Sequence, residues 1–266
     1  MSGLDITIAV AMHKPYAHAE DTMYLPVHVG ADLHPEVLTN IAGDNTGDNI
    51  SQLNPYFSEL TAMYWLWKNN DSDYKGIVHY RRYFASPSLR KRLSRNRFDR
   101  ILTRQELEPL LADNNVVLPS KRRYFIETIY SHYDHTLHVD QLHQTRNVLK
   151  DMAPEYVGAW DALMKKRSAH IFNMMIMDRA DFNAYCEWLF PILFELAHRI
   201  DASSYSAFHA RYPGRISEIL LNVWINTNHI PYKTVPTVYT EPVNWWAKGT
   251  GFLKAKFLKK KYDASF

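Results

Sequence analysis

The chain has 266 residues, 46% of them hydrophobic, which suits one large domain with a sizeable core and excludes a disordered chain. A single cysteine, Cys186, excludes an intramolecular disulfide; set in the apolar run Ala184–Phe190, it reads as a buried structural thiol in a reducing compartment. The net charge of +3 is modest but uneven, with basic clusters at 90–104 and 248–261 that attract phosphates, nucleic acid or anionic lipid alike.

In chain order, Asp5–Ala11 is a β-branched apolar run and reads as a buried first strand. His13-Lys14-Pro15 closes it as a loop, and Tyr24–Gly30 reads as a short second strand. Asp44–Asn49 is dense in turn formers. A helix opens at Asn54-Pro55, carries Glu59, Leu60, Met63, Tyr64, Leu66 and Trp67 at helical spacing, and breaks at 69–73. Tyr74–Tyr80 is a strand that delivers Arg81-Arg82 to its C-terminal end. Arg90–Arg100 is a basic loop or an exposed helix. Thr103–Asp113 reads as a capped helix, Asn115–Pro119 as a strand, and Val139–Met152 and Pro154–Met164 as two helices. His170–Met177 reads as a strand, Asp181–Ile200 as a long amphipathic helix, Ser217–Asn226 as a helix and Tyr232–Val238 as a closing strand.

This alternation predicts an α/β fold with a largely parallel sheet, whose ligands sit at the carboxyl ends of the strands. His13, Lys14, His79, Tyr80, Arg81, Arg82 and Asn173 then share one edge as candidate site residues. Arginine forks match phosphate oxygens, so Arg81 and Arg82 suit a diphosphate; the structural alternative is an ion-pair network with Asp48, Asp71 or Asp73. Between Ser131 and Asp140 lie His132, Asp134, His135, His138 and a second aspartate; a helix would put the i, i+3 histidines on one face. Zinc signatures are absent, so hydrogen-bonded histidines, or contacts to a sugar hydroxyl, are the readings ahead of a metal site. Asp48 and Asn49 could receive a nucleoside, or simply shape a turn.

Several long motifs occur in register with one known family: His13-Lys14, Tyr24–Gly30, Gly47–Ser51, Asn54, Glu59–Ala62, Tyr64-Trp65, Gly76–Phe84, Pro154–Tyr156, Asn173–Met177, Tyr185–Phe190, and Arg215–Glu218 before Leu220–Asn222. Over roughly residues 5–241 the chain resembles bacterial capsular, exopolysaccharide and O-antigen glycosyltransferases, a family long described as a domain of unknown function, some members of which resemble galactofuranosyltransferases. The resemblance implies a Rossmann-like, mostly parallel sheet of the GT-A type in a single domain with helical insertions at 1–241, with a donor half at about 1–120 and an acceptor half at about 121–241, followed by a basic aromatic tail at 242–266. It implies a UDP-sugar donor and a lipid-linked glycan acceptor, with Asp48, Asn49 and the strand-edge residues on the donor, and His132, Asp134, His135 and Arg215 on acceptor or sugar. In an inverting transfer a carboxylate takes the acceptor proton, and Glu218, expected at the start of a late helix, fits that role; the alternative is that it caps the helix. The wider superfamily carries Asp-x-Asp after a strand for a divalent metal (Mg or Mn). Here His79-Tyr80-Arg81 stands in its place, so either arginine supplies the charge or a metal binds elsewhere.

The tail interleaves Trp245, Trp246, Phe252, Leu253, Phe257 and Leu258 with lysines, the composition of a membrane-surface segment. No apolar run spans a bilayer and no signal peptide is read, so the expected location is cytoplasmic, peripheral to the inner membrane, with no nucleic-acid partner. The competing function is a non-catalytic carbohydrate- or nucleotide-binding module.

Overall fold

The computed structural model describes residues 3–241. In chain order the elements are β1 (Ile6–Met12), β2 (Tyr24–His28), β3 (Ala42–Gly43), α1 (Asn54–Phe57), α2 (Leu60–Asn69), β4 (Tyr74–His79), β5 (Arg82–Phe84), α3 (Leu89–Arg92), α4 (Arg104–Leu111) and β6 (Val116–Pro119). Then come β7 (Arg122–Arg123), α5 (Ile129–Thr136), α6 (Asp140–Met152), α7 (Val157–Met164), β8 (Ser168–Ala169), β9 (Met175–Asp178), α8 (Arg179–Arg199), α9 (Tyr212–Thr227), β10 (Lys233–Val235) and β11 (Thr237–Tyr239). They form two compact units. The first comprises Met1–Ser120, Phe172–Trp188 and Ile230–Glu241, and the second has Lys121–Ile171 and Leu189–His229 at its centre.

The first unit holds a sheet ordered β10-β6-β9-β4-β1-β2-β3. The expected mostly parallel sheet is present: along this path only β9 runs against the rest, antiparallel to both β4 and β6. β1 lies inside it between β4 and β2, and its residues are buried except Thr7, as a parallel strand covered on both faces requires. Leu60, Ala62, Met63 and Leu66 of α2 are all fully buried. α4 starts on a capping box, Thr103 with Glu106, as its sequence predicts.

Several expectations change in detail. The helix expected from Asn54 is two pieces, because Ser58 takes a left-handed φ of 53° between α1 and α2. The strand expected over 170–177 begins only at Met175, after Phe172 (φ 85°) and Asn173 (φ 50°) turn the chain. Pro236 divides the closing strand: β10 joins β6 in parallel and β11 joins β5 antiparallel. The 90–100 stretch contains the short helix α3 and, near its end, a single 3-10 turn at Phe98–Arg100.

Gly76 marks the tightest strand approach. A Cβ there would lie 2.7 Å from the Met175 carbonyl of β9, which is backbone and cannot swing away. Gly76→Ala is therefore expected to cost about 1–3 kcal/mol, read as a lower midpoint in urea denaturation; an unchanged midpoint would mean β9 yields freely.

The second unit is helical. α6 packs on α7 and on α9, and β7 and β8 form a small antiparallel ribbon. α9 starts at Tyr212 with Pro213 in its first turn, earlier than its sequence suggested. Among the described residues no helix is long and apolar enough to cross a membrane. The tail at 242–266 lies outside the described residues.

Candidate functional site

In the first unit, β1 and β4 end side by side, with Ala11 level with His79. Their next residues gather on the ring of Tyr80, which is buried. His13 meets it edge-on at 5.2 Å between centroids, Lys14 Nζ lies 5.7 Å from the ring centre and the Arg81 guanidinium 5.2 Å from it. His13 and Lys14 are exposed, and the Arg81 side chain is 52% exposed. Arg81 also lies 3.6 Å from Glu241. Two of the three ion-pair partners considered from sequence are occupied elsewhere: Asp48 lies 4.0 Å from Lys68 and Asp73 pairs with Arg179 at 3.0 Å. Arg82 lies flat against two rings, 3.6 Å from the centre of Phe172 and 5.0 Å from that of Tyr239. The next motif residues, Tyr83 and Phe84, are fully buried and anchor the arginines.

His79 and Asn173 meet through Glu59, which the sequence placed on a helix and in a family motif without assigning it a site role. Asn173 Nδ2 donates to Glu59 Oε1 at 2.7 Å, and that oxygen is 4.0 Å from His79 Nε2. His79 Nε2 lies 2.6 Å from the Phe172 carbonyl, which can only accept, so this nitrogen carries the proton. Burial pushes the His79 pKa down, and Arg82 and Arg81 add to this against the pull of Glu59. The ring is thus neutral at pH 7. Ser58, Phe172 and Asn173, all non-glycine residues with positive φ, border this cluster. Left-handed backbone at bulky residues costs free energy and collects at functional sites. Its only trace in the sequence is the polar Asn173 ahead of an apolar strand.

Asp48 and Asn49 stand apart from this group. Asn69, at the far end of α2 from Glu59, holds Asp48 through backbone hydrogen bonds of 3.1 and 2.8 Å, and Asn49 spans its own turn between Gly47 and Ser51. An Asp-x-Asp does occur, Asp71-Ser72-Asp73, but it precedes β4. At the end of β4 the two carboxylates in reach are engaged, Glu59 by Asn173 and Glu241 by Arg81. Glu59 faces an amide and a neutral imidazole and Glu241 a guanidinium, and two carboxylates engaged separately do not make the ligand set of a divalent metal. Among the described residues no group of three His, Cys, Asp or Glu side chains is arranged to hold a metal ion.

In the second unit α5 carries the histidine motif, set on a capping box between Thr128 and Ser131. Both oxygens of the buried Glu127 accept from Nδ1 of its histidines, His132 at 2.9 Å and His135 at 2.8 Å. Burial raises the Glu127 pKa, but the bonds from His135 and His132 outweigh it and the net shift is downward. Burial lowers that of His132. A neutral His132 beside an ionised Glu127 makes this a hydrogen-bonded trio that leaves Nε2 of His132 as the unprotonated ring nitrogen. Asp134 leaves α5 two positions from His132 and so faces another way. His138 lies beyond the end of α5 and stacks on Tyr205, 4.5 Å between centroids and 2° from parallel. Glu127 was missed because nothing in its spacing distinguishes it from a loop carboxylate.

Tyr124 leans on the His132 ring, 4.4 Å between centroids. Burial pushes its pKa up to about 12, opposed by Arg122 and reinforced by Glu218. Glu218 and Arg215 also both act on Tyr133, whose hydroxyl donates to Gln141 at 2.7 Å. Glu218, Arg215, Tyr124 and His132 thus belong to one neighbourhood. Glu218 is the seventh residue of α9, so it does not cap the helix. Arg215 is steadied by the Phe208 carbonyl at 2.7 Å and by that residue's ring. A separate cavity of about 450 Å³ lies between α5, α6 and α7, lined by Leu142, Trp160 and Met164 and rimmed by Tyr130, His143 and the Arg146–Asp161 pair.

Comparison with known proteins agrees with this architecture. The chain is similar to the apo structure of the bifunctional glycosyltransferase WbbM, with a TM-score of 0.82 and 28% identity over 90% of this chain. It spans 46% of that longer chain. No curated protein matches the chain. The family described as "Domain of unknown function (DUF4422)" matches residues 7–229, with the β4–β5 arginines, Glu59, Asn173, the Glu127 trio and Glu218 all inside the matched span. The chain belongs to this family.

Proposed function

We propose that the chain is a glycosyltransferase that moves a hexosyl residue from a UDP-sugar to a lipid-linked glycan in capsule, exopolysaccharide or O-antigen synthesis. The observation that carries this reading is the set of cations, Lys14, Arg81 and Arg82, at the carboxyl ends of β1 and β4. Ligands of open α/β sheets sit at such ends, and guanidinium forks bind diphosphate in two-point fashion. The likeness to WbbM supports the transferase class; galactofuranose as the sugar rests on the sequence resemblance alone.

As the bond from the anomeric carbon breaks, its electron pair stays on the UDP oxygen and adds a second negative charge to the terminal phosphate, which the arginines neutralise as it develops. They take the place of the divalent metal used by the wider superfamily. Neutral His79 and the Asn173–Glu59 pair suit hydroxyl groups of the donor. Glu218 takes the acceptor hydroxyl proton as that oxygen attacks, giving inversion, while Arg215, His132 and His135 hold acceptor or sugar hydroxyls. The tail at 242–266 contributes to association with the inner membrane.

Glu218→Gln is the test of the transfer step. It keeps the shape and removes the base, so UDP binding by calorimetry stays within twofold while turnover falls about 10²–10⁴-fold. Retained turnover refutes the base assignment. EDTA leaves turnover unchanged if arginine supplies the charge, and abolishes it if a metal does.

A further inference from the structure

We propose that the β7–β8 ribbon of the second unit is a membrane-docking surface, on which Phe125 and Ile126 enter the headgroup layer of an anionic bilayer. These adjacent side chains are 77% and 63% exposed. Phe125 is held at φ 50°, a conformation unfavourable for a bulky residue, and its exposed ring contributes no core burial in return.

The loop is a built structure. Tyr124 N–H donates to the Arg167 carbonyl at 2.8 Å and Ile129 N–H to that of Lys166 at 2.8 Å. Arg122 and Arg123 pair in register with Ala169 and Ser168. The apolar tip is therefore presented from a fixed ribbon.

Exposed cations flank it, Arg122 and Arg123 just before the tip in the chain, and Lys166 and Arg167 on the segment whose carbonyls hold it. The only carboxylate in residues 121–130 and 165–169 is Glu127, buried and facing its two histidines. Exposed apolar side chains beside these cations match an anionic lipid surface, where shallow insertion and charge attraction act together and either alone is marginal. Nucleic acid would use the cations but has no place for isoleucine. The inference depends neither on the transferase reading nor on the tail.

The test uses the full chain with Ile126→Cys carrying an environment-sensitive fluorophore; the buried Cys186 stays unlabelled. Phosphatidylcholine vesicles containing phosphatidylglycerol are expected to shift the emission to the blue, and pure phosphatidylcholine vesicles to leave it unchanged. In co-sedimentation, Phe125→Ser with Ile126→Ser is expected to weaken binding on the order of tenfold, and Arg122→Ala with Arg123→Ala and Lys166→Ala on the order of a hundredfold. Chain that sediments with anionic vesicles while the probe emission stays fixed overturns the proposal, as does equal binding of both variants. A blue shift caused by single-stranded RNA and not by vesicles also overturns it.

Discussion

Arg81→Ala and Arg82→Ala are each expected to weaken UDP binding roughly ten- to a hundredfold, the usual range when one charge-assisted contact to phosphate is lost. The two substitutions differ in their secondary consequences. Arg81 is half exposed and shares only Glu241 and the Tyr80 ring, so its removal leaves the fold intact. Arg82 lies against Phe172 and Tyr239, and its loss also frees the Phe172 turn that accepts from His79. Arg82→Lys keeps the charge but not the planar fork or its stacking, and is expected to recover only part of the affinity. Calorimetric titration with UDP measures all three. Unchanged affinity in both alanine variants would remove the diphosphate role from this edge.

Glu127→Ala is expected to cost about 3 kcal/mol, the low end for breaking a buried pair because His135 is partly exposed, and to lower Tm by roughly 6–12 °C. The wild-type chain should itself lose stability on acidification, for two reasons of the same sign. Glu127 has its pKa lowered in the fold, so it stabilises above the ordinary carboxylate range, and this is lost as pH falls through its folded value. His132 and His79 are held neutral by burial, so below pH about 6.5 the unfolded chain takes up protons that the fold resists. Thermal melts from pH 7.5 down to about 3.5 should show Tm falling throughout, first as the unfolded histidines take up protons and then, below about pH 4.5, as the Glu127 contribution is lost. A flat profile, or a Glu127→Ala melt matching the wild type, would contradict the trio as drawn.

The parts of the molecule legible in the sequence were those written as local pattern. The apolar run of β1, the Thr103–Glu106 capping box and the long α8 come from period and capping chemistry, and the structure holds all three near their expected places. His13, Lys14, Tyr80 and Arg81 were also legible as a group, because parallel strands that end together bring their following residues together. What escaped was set by distant partners. β9 is short and reversed because Phe172 and Asn173 leave the strand conformation, a feature without a composition signal. Glu59 joins His79 and Asn173 across 114 residues of chain from the latter, and Glu127 joins its histidines from outside their helix. Asp48 looked equivalent to these from sequence but is fastened to the far end of α2.

Transfer of a sugar from a UDP donor is measured directly by the release of UDP. The full chain would be offered UDP-galactofuranose, UDP-galactopyranose, UDP-glucose and UDP-N-acetylhexosamines, each with a lipid-linked acceptor. The expected result is acceptor-dependent UDP release from one of these donors, lost in Glu218→Gln and strongly reduced in Arg81→Ala. Release from none of them, together with no detectable binding of UDP, would contradict the transferase reading and leave the chain as a binding module.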